Sequence, residues 1–174
     1  RRLEMLLRDV STITRLDEGS AVIAKEPLDL VEIIKDVAGE ASLRGSVEVI
    51  TDLPPELIVN GNRALLESIF RNLVDNAMIH SGCTEIRITA DKDGRITLSD
   101  NGRGVPPEHL SRIFERFYRI DKGRSRAVGG TGLGLSIVRN AVAVHGGVIS
   151  ASNAPGLTLS FNLKPLDADL TKTQ

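Results

Sequence analysis

The chain has 174 residues, of which 41% are hydrophobic and 26% charged, with a formal net charge of -1. This composition is typical of a globular protein with one good core, and the near-neutral charge gives no general attraction to nucleic acid or membrane surfaces. The single cysteine, Cys83, excludes an internal disulfide and has no partner at zinc-ligand spacing, and no apolar run approaches the roughly 18 residues that span a bilayer.

The first 19 residues predict the end of an amphipathic helix. Apolar residues recur at three- and four-residue steps before Gly19, namely Leu3, Leu6, Leu7, Val10, Ile13 and Leu16. Because the chain begins inside this pattern, we expect a fragment whose first helix packs on another helix or on a dimer mate. Residues 20–27 are expected to form a linker, and residues 167–174 a polar tail.

Residues 28–166 are predicted to form one domain of helices and strands. Asp29 is placed to cap a helix that continues to about Glu40. Residues 47–50 alternate weakly as a strand, with 57–59 as a short partner. A longer helix runs from Asn62 to about His80. Its apolar stripe consists of Leu65, Ile69, Leu73 and Ala77 beside Leu66, Phe70, Val74 and Met78.

Two asparagines, Asn72 and Asn76, lie along the border of that stripe. Asparagine is a mediocre residue for a helix interior, because its amide competes for backbone hydrogen bonds. The four-residue spacing places both amides on one side of the helix, where one oxygen can face a hard divalent cation and the other phosphate. The alternative is an exposed polar edge or a hydrogen bond to a neighbouring helix.

Two antiparallel strands are predicted at 86–89 and 95–98, joined by an Asp-Gly turn. The second strand delivers Asp100 to its end, followed by Asn101-Gly102-Arg103-Gly104. A carboxylate there accepts a hydrogen bond from the exocyclic amine of adenine, whereas the carbonyl of guanine would meet it lone pair to lone pair. Gly102 and Gly104 allow close approach of the main chain to a ligand.

The segment 105–129, between two glycine motifs, is predicted to form a basic flap. A short helix is expected from His109 to Tyr118, and six basic residues stand against two acidic ones between positions 112 and 126. The flap can cover a polyphosphate, and its aromatic residues Phe114, Phe117 and Tyr118 are expected to dock it on the domain. The alternative is a solvated loop with a small hydrophobic foot.

The second glycine run, 129–134, leads into a helix predicted from Leu135 to His145 and capped by Gly146. The free N–H groups and the dipole at the start of this helix would face anionic oxygens. The G-x-G-x-G spacing fits neither a P-loop nor a dinucleotide fingerprint. Two further strands are predicted at 148–151 and 157–163.

Four motifs stand in a fixed order, and together they resemble the catalytic ATP-binding domain of bacterial sensor histidine kinases. Residues 72–77 resemble the N box, 100–104 the first G box, 113–119 the F box and 130–135 the second G box. The first helix is similar to the end of the family's dimerisation and phosphoacceptor domain. The resemblance implies a Bergerat α/β two-layer sandwich, with a mixed, mostly antiparallel sheet covered on one face by three helices and preceded by one amphipathic helix.

The resemblance also implies the site residues. Asn72 would ligate Mg²⁺, Asn76 would support the phosphates and Asp100 would read the adenine of ATP. A flap arginine, Arg124 or Arg126, would meet the γ-phosphate. The remaining nucleotide-binding positions belong to the glycine motifs, together with a threonine that matches one near the adenine on a late strand: Gly102, Gly104, Gly130, Thr131, Gly132, Leu133, Gly134 and Thr158.

The family transfers the γ-phosphoryl group of ATP to a histidine, and the resemblance implies the same activity for a cytoplasmic module of an inner-membrane sensor protein. The implied partners are a phosphoacceptor histidine domain, in a homodimer of the full-length protein, and the receiver domain of a response regulator. None of His80, His109 and His145 is followed by an acidic residue, as the family's acceptor histidine is, and all three are expected to be structural. We therefore expect no autophosphorylation by this chain alone, and no contact with nucleic acid or membrane.

Two departures from the family pattern leave alternatives open. Ile79 stands where the family often has a lysine, so a phosphate contact is expected to be lost. The loop 153–157 is short and has no glycine directly before Thr158. The alternatives to a kinase are a pseudokinase that binds nucleotide without transferring phosphate, another Bergerat-fold ATPase, or an anti-sigma serine kinase.

Overall fold

The computed structural model describes residues 7, 10–14, 23–45, 47–120 and 131–166. Residues 10–14 are helical, and Ile13 packs against the core while Leu7 and Val10 are exposed. The predicted helix end at Gly19 and the tail from 167 lie outside the described residues. In the part of the chain described, no helix has the length and apolar character needed to cross a membrane.

The domain alternates short strands with three α-helices in the described residues. The strands are β1 (Glu26–Asp29), β2 (Glu48–Asp52), β3 (Ile58–Gly61), β4 (Glu85–Ala90), β5 (Arg95–Asp100), β6 (Ile149–Asn153) and β7 (Leu157–Asn162). The α-helices are α1 (Leu30–Ser42), α2 (Arg63–Asn76) and α3 (Gly134–Val144), and a π-helical turn, Ala77–Ser81, continues α2.

Strand β1 starts inside the segment that was expected to be a linker. It pairs antiparallel with β3, apart from the main sheet, so the predicted pairing of 57–59 with 47–50 is wrong. Hydrogen bonds explain this arrangement, since Asp29 Oδ1 accepts from Val31 N and from Leu57 N, each at 3.0 Å. The carboxylate that caps α1 therefore also fixes the approach to β3.

Helix α2 is the centre of the helical layer. It begins after Asn62, close to the predicted start, and Asn62 caps it, since its Oδ1 accepts from Leu65 N at 3.2 Å. The helix contacts both α1 and α3, and ion pairs such as Arg71 with Glu40, at 3.0 Å, join its exposed edge to α1. The π-helical turn then ends at Gly82, which has a φ of 67°.

The main sheet has the order β2-β4-β5-β7-β6, with β2 and β4 parallel and the other neighbours antiparallel. Alternate side chains of its central strands are buried with the helices, among them Ile86, Ile88, Ile96, Leu98, Leu159 and Phe161. This confirms the expected α/β sandwich with a mixed, mostly antiparallel sheet. Asp100 continues the buried series of positions 96 and 98, so β5 carries a carboxylate to the helix-covered face.

His145 ties the end of α3 to the start of α2. Its Nε2 accepts from Asn62 N at 3.0 Å, and its Nδ1 donates to Ala141 O at 2.6 Å, which requires a neutral imidazole. Burial lowers the pKa of His145 below its ordinary value of 6.5; the hydrogen bond to Ala141 raises it and the charge of Lys25 lowers it further. Lys25 itself donates to Val144 O at 2.6 Å, so this junction also holds the segment before β1.

We expect the domain to lose stability as the pH falls below 6.5. The unfolded chain protonates its histidine near this value, whereas the lowered pKa of His145 keeps the folded chain neutral to a lower pH, so the unfolded state binds more protons and the free energy of unfolding falls. His80, whose pKa is also lowered by burial, acts in the same direction. Urea unfolding of the native chain and of His145→Gln at pH 8, 6.5 and 5 measures this effect. The variant should lose about 1 kcal/mol at pH 8 and show a shallower decline, and an unchanged decline would contradict the assignment.

Candidate nucleotide-binding site

A cavity of about 1080 Å³ opens between α2, the π-helical turn, the end of β5 and the start of α3. It brings together predicted site residues from separate motifs: Asn72, Asn76, Asp100, Gly104, Thr131, Gly132 and Gly134. Gly102, Leu133 and Thr158 are not among the lining residues, and Arg124, Arg126 and Gly130 lie outside the described residues. The volume is sufficient for a nucleotide.

Asp100 is the buried acid of this cavity, with 3% of its surface exposed. Its Oδ1 accepts from Gly102 N at 2.8 Å, which fixes the plane of the carboxylate. Among the described residues, none donates a hydrogen bond to Oδ2. An oxygen of a largely buried carboxylate that has no protein donor favours a ligand that brings its own N–H group, as the exocyclic amine of adenine does.

Gly156 is a site residue that the sequence analysis missed. Its N–H donates to Asp100 O at 3.0 Å, and a Cβ at this position would lie 2.4 Å from both Asp100 O and Asp100 Oδ1. The loop before β7 therefore needs glycine here to pass the acid. The sequence shows a glycine in the loop 153–157, but its role could be recognised only from the fold, which places that loop against the end of β5.

We expect Gly156→Ala to lower the affinity for ATP at least about tenfold, because the added methyl group must displace Asp100 or the loop. Isothermal calorimetry with ATP measures the loss. The matched control is Gly39→Ala in α1, where a Cβ would have no neighbour within 4 Å. That control should bind ATP normally and be slightly more stable, because alanine is the better helix former. Equal affinities in the two variants would contradict the role of Gly156.

Asn72 has its amide oriented by the preceding turn of its own helix. Its Nδ2 donates to Ser68 O at 2.8 Å and to Ser68 Oγ at 3.2 Å. Since the amide nitrogen is engaged, the oxygen is the atom presented to the other side, and a Cβ on Gly134 would lie 2.9 Å from Oδ1. Asn72 Oδ1 is thus a hard oxygen beside the start of α3, suited to a divalent cation.

The start of α3 forms the wall opposite α2. Thr131, Gly132 and Gly134 line the cavity, and Thr131 Oγ1 accepts from Leu133 N at 3.2 Å. The positive end of the helix dipole lies at this wall and favours an anion there. Leu133, which was expected to bind the nucleotide, has its side chain in the core, with 1% of its surface exposed. It anchors the turn from which its neighbours face the cavity.

Strand register corrects the expectation for Thr158. In the pairing of β5 with β7, Thr158 lies opposite Ser99, so its side chain is on the sheet face away from Asp100 and donates to Ala154 O at 3.0 Å. Leu157, one residue earlier, shares the face of Asp100, is buried and lines the cavity. Gly156 directly precedes Leu157, so an apolar residue occupies the position for which a threonine was expected.

Arg119 is a second site residue that the sequence analysis passed over in favour of Arg124 and Arg126. It lines the cavity, and its Nη2 is fully buried without a hydrogen-bond partner among the described residues. A buried guanidinium nitrogen without a partner is costly and favours an anionic ligand. His80 lines the same cavity, and its pKa is lowered by burial and then by the charges of Arg119 and Arg103. The charges of two arginines therefore act at this end of the site.

The flap begins without the helix expected from 109 to 118. Only Pro107–His109 form a 3₁₀ turn, followed by further turns, and Phe117 has a φ of 63° that no α-helix accommodates. Phe117 N donates to Gly132 O at 2.8 Å, so a cross-flap hydrogen bond takes the place of a helical one. Phe114 docks in the core as expected, whereas Phe117 is 71% exposed.

The fold and the cavity define an ATP-binding domain of the Bergerat type. The family model of the histidine kinase-, DNA gyrase B-, and HSP90-like ATPase matches residues 61–167. The chain belongs to this family, and it is an ATP-binding catalytic domain of the kind found in sensor histidine kinases.

Relatives and solved structures agree with this assignment. The chain is 36% identical over 181 residues to the signal transduction histidine-protein kinase BaeS of Escherichia coli, covering 98% of this chain and 38% of that protein. It is 37% identical over 172 residues to the probable sensor histidine kinase TcrY of Mycobacterium tuberculosis, covering 95% of this chain and 36% of that protein. The ATP-binding domain of PrrB from Mycobacterium tuberculosis is similar in structure, with a TM-score of 0.69 and 27% identity, covering 83% of this chain and 99% of that one.

Proposed function

We propose that this domain binds Mg-ATP and transfers the γ-phosphoryl group to a histidine of a phosphoacceptor domain in a longer sensor protein. The observation that carries the proposal is the single cavity shared by Asp100 and Asn72, with the start of α3 beside them. This arrangement provides a base-reading acid, a metal-ligand oxygen and an anion-binding helix end in one space. Phosphoryl transfer needs mainly such positioning and charge neutralisation.

Asp100 Oδ2 accepts a hydrogen bond from the exocyclic amine of adenine, while Gly102 N donates to Asp100 Oδ1. Thr131, Gly132 and Asn76 line the phosphate end of the cavity, where main-chain N–H groups and the amide hold phosphate oxygens. The buried Nη2 of Arg119 gains an acceptor when phosphate binds beside it. Arg124 and Arg126 remain candidates to meet the γ-phosphate.

The residues present fit a magnesium ion carried by the nucleotide. Among the described residues, no group of three or more His, Cys, Asp or Glu could hold a metal ion. The protein ligand is then Asn72 Oδ1, whose orientation Ser68 fixes, with phosphate oxygens supplying the rest of the oxygen-rich set that Mg²⁺ prefers. When bound, Mg²⁺ neutralises charge on the phosphates.

The partners and location are proposals of the same kind. The chain spans 38% and 36% of the length of the two sensor kinases with which it was compared, so other parts of such a protein would supply the dimer and the phosphoacceptor histidine. A response-regulator receiver domain then takes the phosphoryl group from that histidine. Such a module works on the cytoplasmic side of an inner-membrane sensor.

A pseudokinase that only binds nucleotide is the second candidate, favoured by one observation. Ile79 lines the cavity close to Asn76, and its side chain can neither donate to phosphate nor carry charge. Arg119 supplies a cation to the same cavity from the flap, and this supports the kinase.

Phosphotransfer to a separately added acceptor distinguishes the two candidates. The chain is mixed with Mg²⁺, γ-labelled ATP and the phosphoacceptor domain of a sensor histidine kinase, and the acceptor is examined for label. Label that is acid-labile and base-stable supports the kinase, whereas ATP binding without transfer to any acceptor tested supports the pseudokinase. The Asp100→Asn protein is the control for contaminating kinase activity.

A further inference from the structure

His109, Arg112 and Tyr118 form a cluster at the base of the flap. A hydrogen bond of 2.5 Å joins His109 Nδ1 and Tyr118 Oη, and the two ring centroids lie 6.0 Å apart. The Arg112 guanidinium lies 4.3 Å from the Tyr118 ring centroid and is held in turn by Glu115, with both N–O distances at 3.1 Å. The ring of Tyr118 is therefore held through its hydroxyl and through one of its faces.

The cluster is directly connected to the phosphate end of the cavity. Tyr118 lines the cavity and precedes Arg119, the residue with the buried, unpartnered Nη2. On the other side of Tyr118, the main chain is fixed by the hydrogen bond from Phe117 N to Gly132 O, at 2.8 Å. A Cβ on Gly132 would lie 3.3 Å from Arg119 Cγ, so the stem of the arginine passes close to the glycine motif.

The hydrogen bond between His109 and Tyr118 thus helps to fix the residue that directly precedes Arg119. The flap helix expected from the sequence does not form, and the backbone at Tyr118 is held by a long hydrogen bond, from Tyr118 N to Glu115 O at 3.3 Å. Without the bond to His109, the Tyr118 ring keeps its contact with Arg112, but the chain that leads to Arg119 is held less firmly. Preorganising a charged group in this way lowers the entropy lost when its ligand binds.

We propose that His109 is a positioning residue, which holds Tyr118 through its hydroxyl so that the guanidinium of Arg119 is preset for the anionic end of the nucleotide. The inference rests on the proposed nucleotide binding and deepens it. His109 is not among the residues that line the cavity. Its effect should therefore depend on the phosphates of the ligand and be absent for the nucleoside.

The test compares ATP and adenosine binding by NMR titration in the native chain and its variants. His109→Leu and Tyr118→Phe each remove one partner of the hydrogen bond, and His109→Asn keeps a polar group near Nδ1. We expect His109→Leu and Tyr118→Phe to weaken ATP binding about fivefold, the magnitude of one hydrogen bond. The affinity for adenosine should not change. His109→Asn should recover most of the loss, and the double variant should be no weaker than either single one.

The Arg119→Gln variant tests whether His109 acts through Arg119. If His109 acts through Arg119, His109→Leu should have no further effect on ATP once the guanidinium is gone. The inference would be overturned if ATP binding and adenosine binding were weakened equally, or if the losses of ATP affinity from His109→Leu and Arg119→Gln were additive. Should His109→Leu fail to fold, Tyr118→Phe gives the same comparison by removing one oxygen atom. A native chain that binds no ATP would instead refute the proposed function.

Discussion

Asp100→Asn is expected to lower the affinity for ATP about 100-fold, the loss of a charge-assisted hydrogen bond together with a new mismatch. Gly102 N donates to Oδ1 of the native carboxylate, so the amide oxygen of asparagine will take that place. The amide nitrogen then faces the cavity, where it meets the adenine amine donor to donor. The same nitrogen can donate to the carbonyl of guanine, so the preference for ATP over GTP should shrink or reverse. Calorimetry with both nucleotides measures this.

The control for this change is Asp93→Asn, the same substitution at an exposed residue in the turn between β4 and β5. It alters the net charge equally and should leave ATP affinity unchanged. Thermal unfolding of both variants shows whether the buried substitution disturbs the fold. Unaltered ATP affinity in a folded Asp100→Asn protein would contradict the proposal that Asp100 binds adenine.

Asn72→Ala is expected to lower magnesium-dependent phosphotransfer about 100-fold while metal-free ADP binding falls much less. The substitution removes the Oδ1 that faces Gly134 and leaves the buried core of α2 intact. Asn72→Asp should also fail, because a carboxylate oxygen would replace Nδ2 opposite Ser68 O and meet it lone pair to lone pair. Phosphotransfer to an added acceptor, measured over a series of Mg²⁺ concentrations, gives the rate and the metal dependence.

Two controls separate metal binding from general damage. Ser68→Ala removes one of the two acceptors for Asn72 Nδ2 and keeps the carbonyl, so a loss of about threefold is expected. Asn60→Ala makes the same truncation at an exposed position of β3 and should have no effect. A rate in Asn72→Ala that matches the native rate at every Mg²⁺ concentration would exclude this residue as the ligand.

Local signals in the sequence predicted most of the elements that form the site. The cap at Asp29, the start of α2 at Asn62 and the Asp-Gly turn between β4 and β5 depend on hydrogen bonds within a few residues, so they could be recognised without the fold. The prediction of a flap helix was wrong because a distant residue takes the place of a helical hydrogen-bond partner. Phe117 N donates to Gly132 O, fifteen residues away in the chain. Hydropathy and turn residues carry no information about such a partner.

The sequence alone determined the order of the four motifs, the alternation that places Asp100 on the buried face of β5, and the pair of amides on one side of α2. These follow from the fixed periods of strands and helices. Only the tertiary structure decided that Leu157 rather than Thr158 lies beside the acid, that Gly156 makes room for it, and that Arg119 has a buried nitrogen to satisfy. The reason is physical: a shift of one residue between paired strands exchanges the two faces of the sheet, and that register is set by packing and hydrogen bonds between segments far apart in the chain.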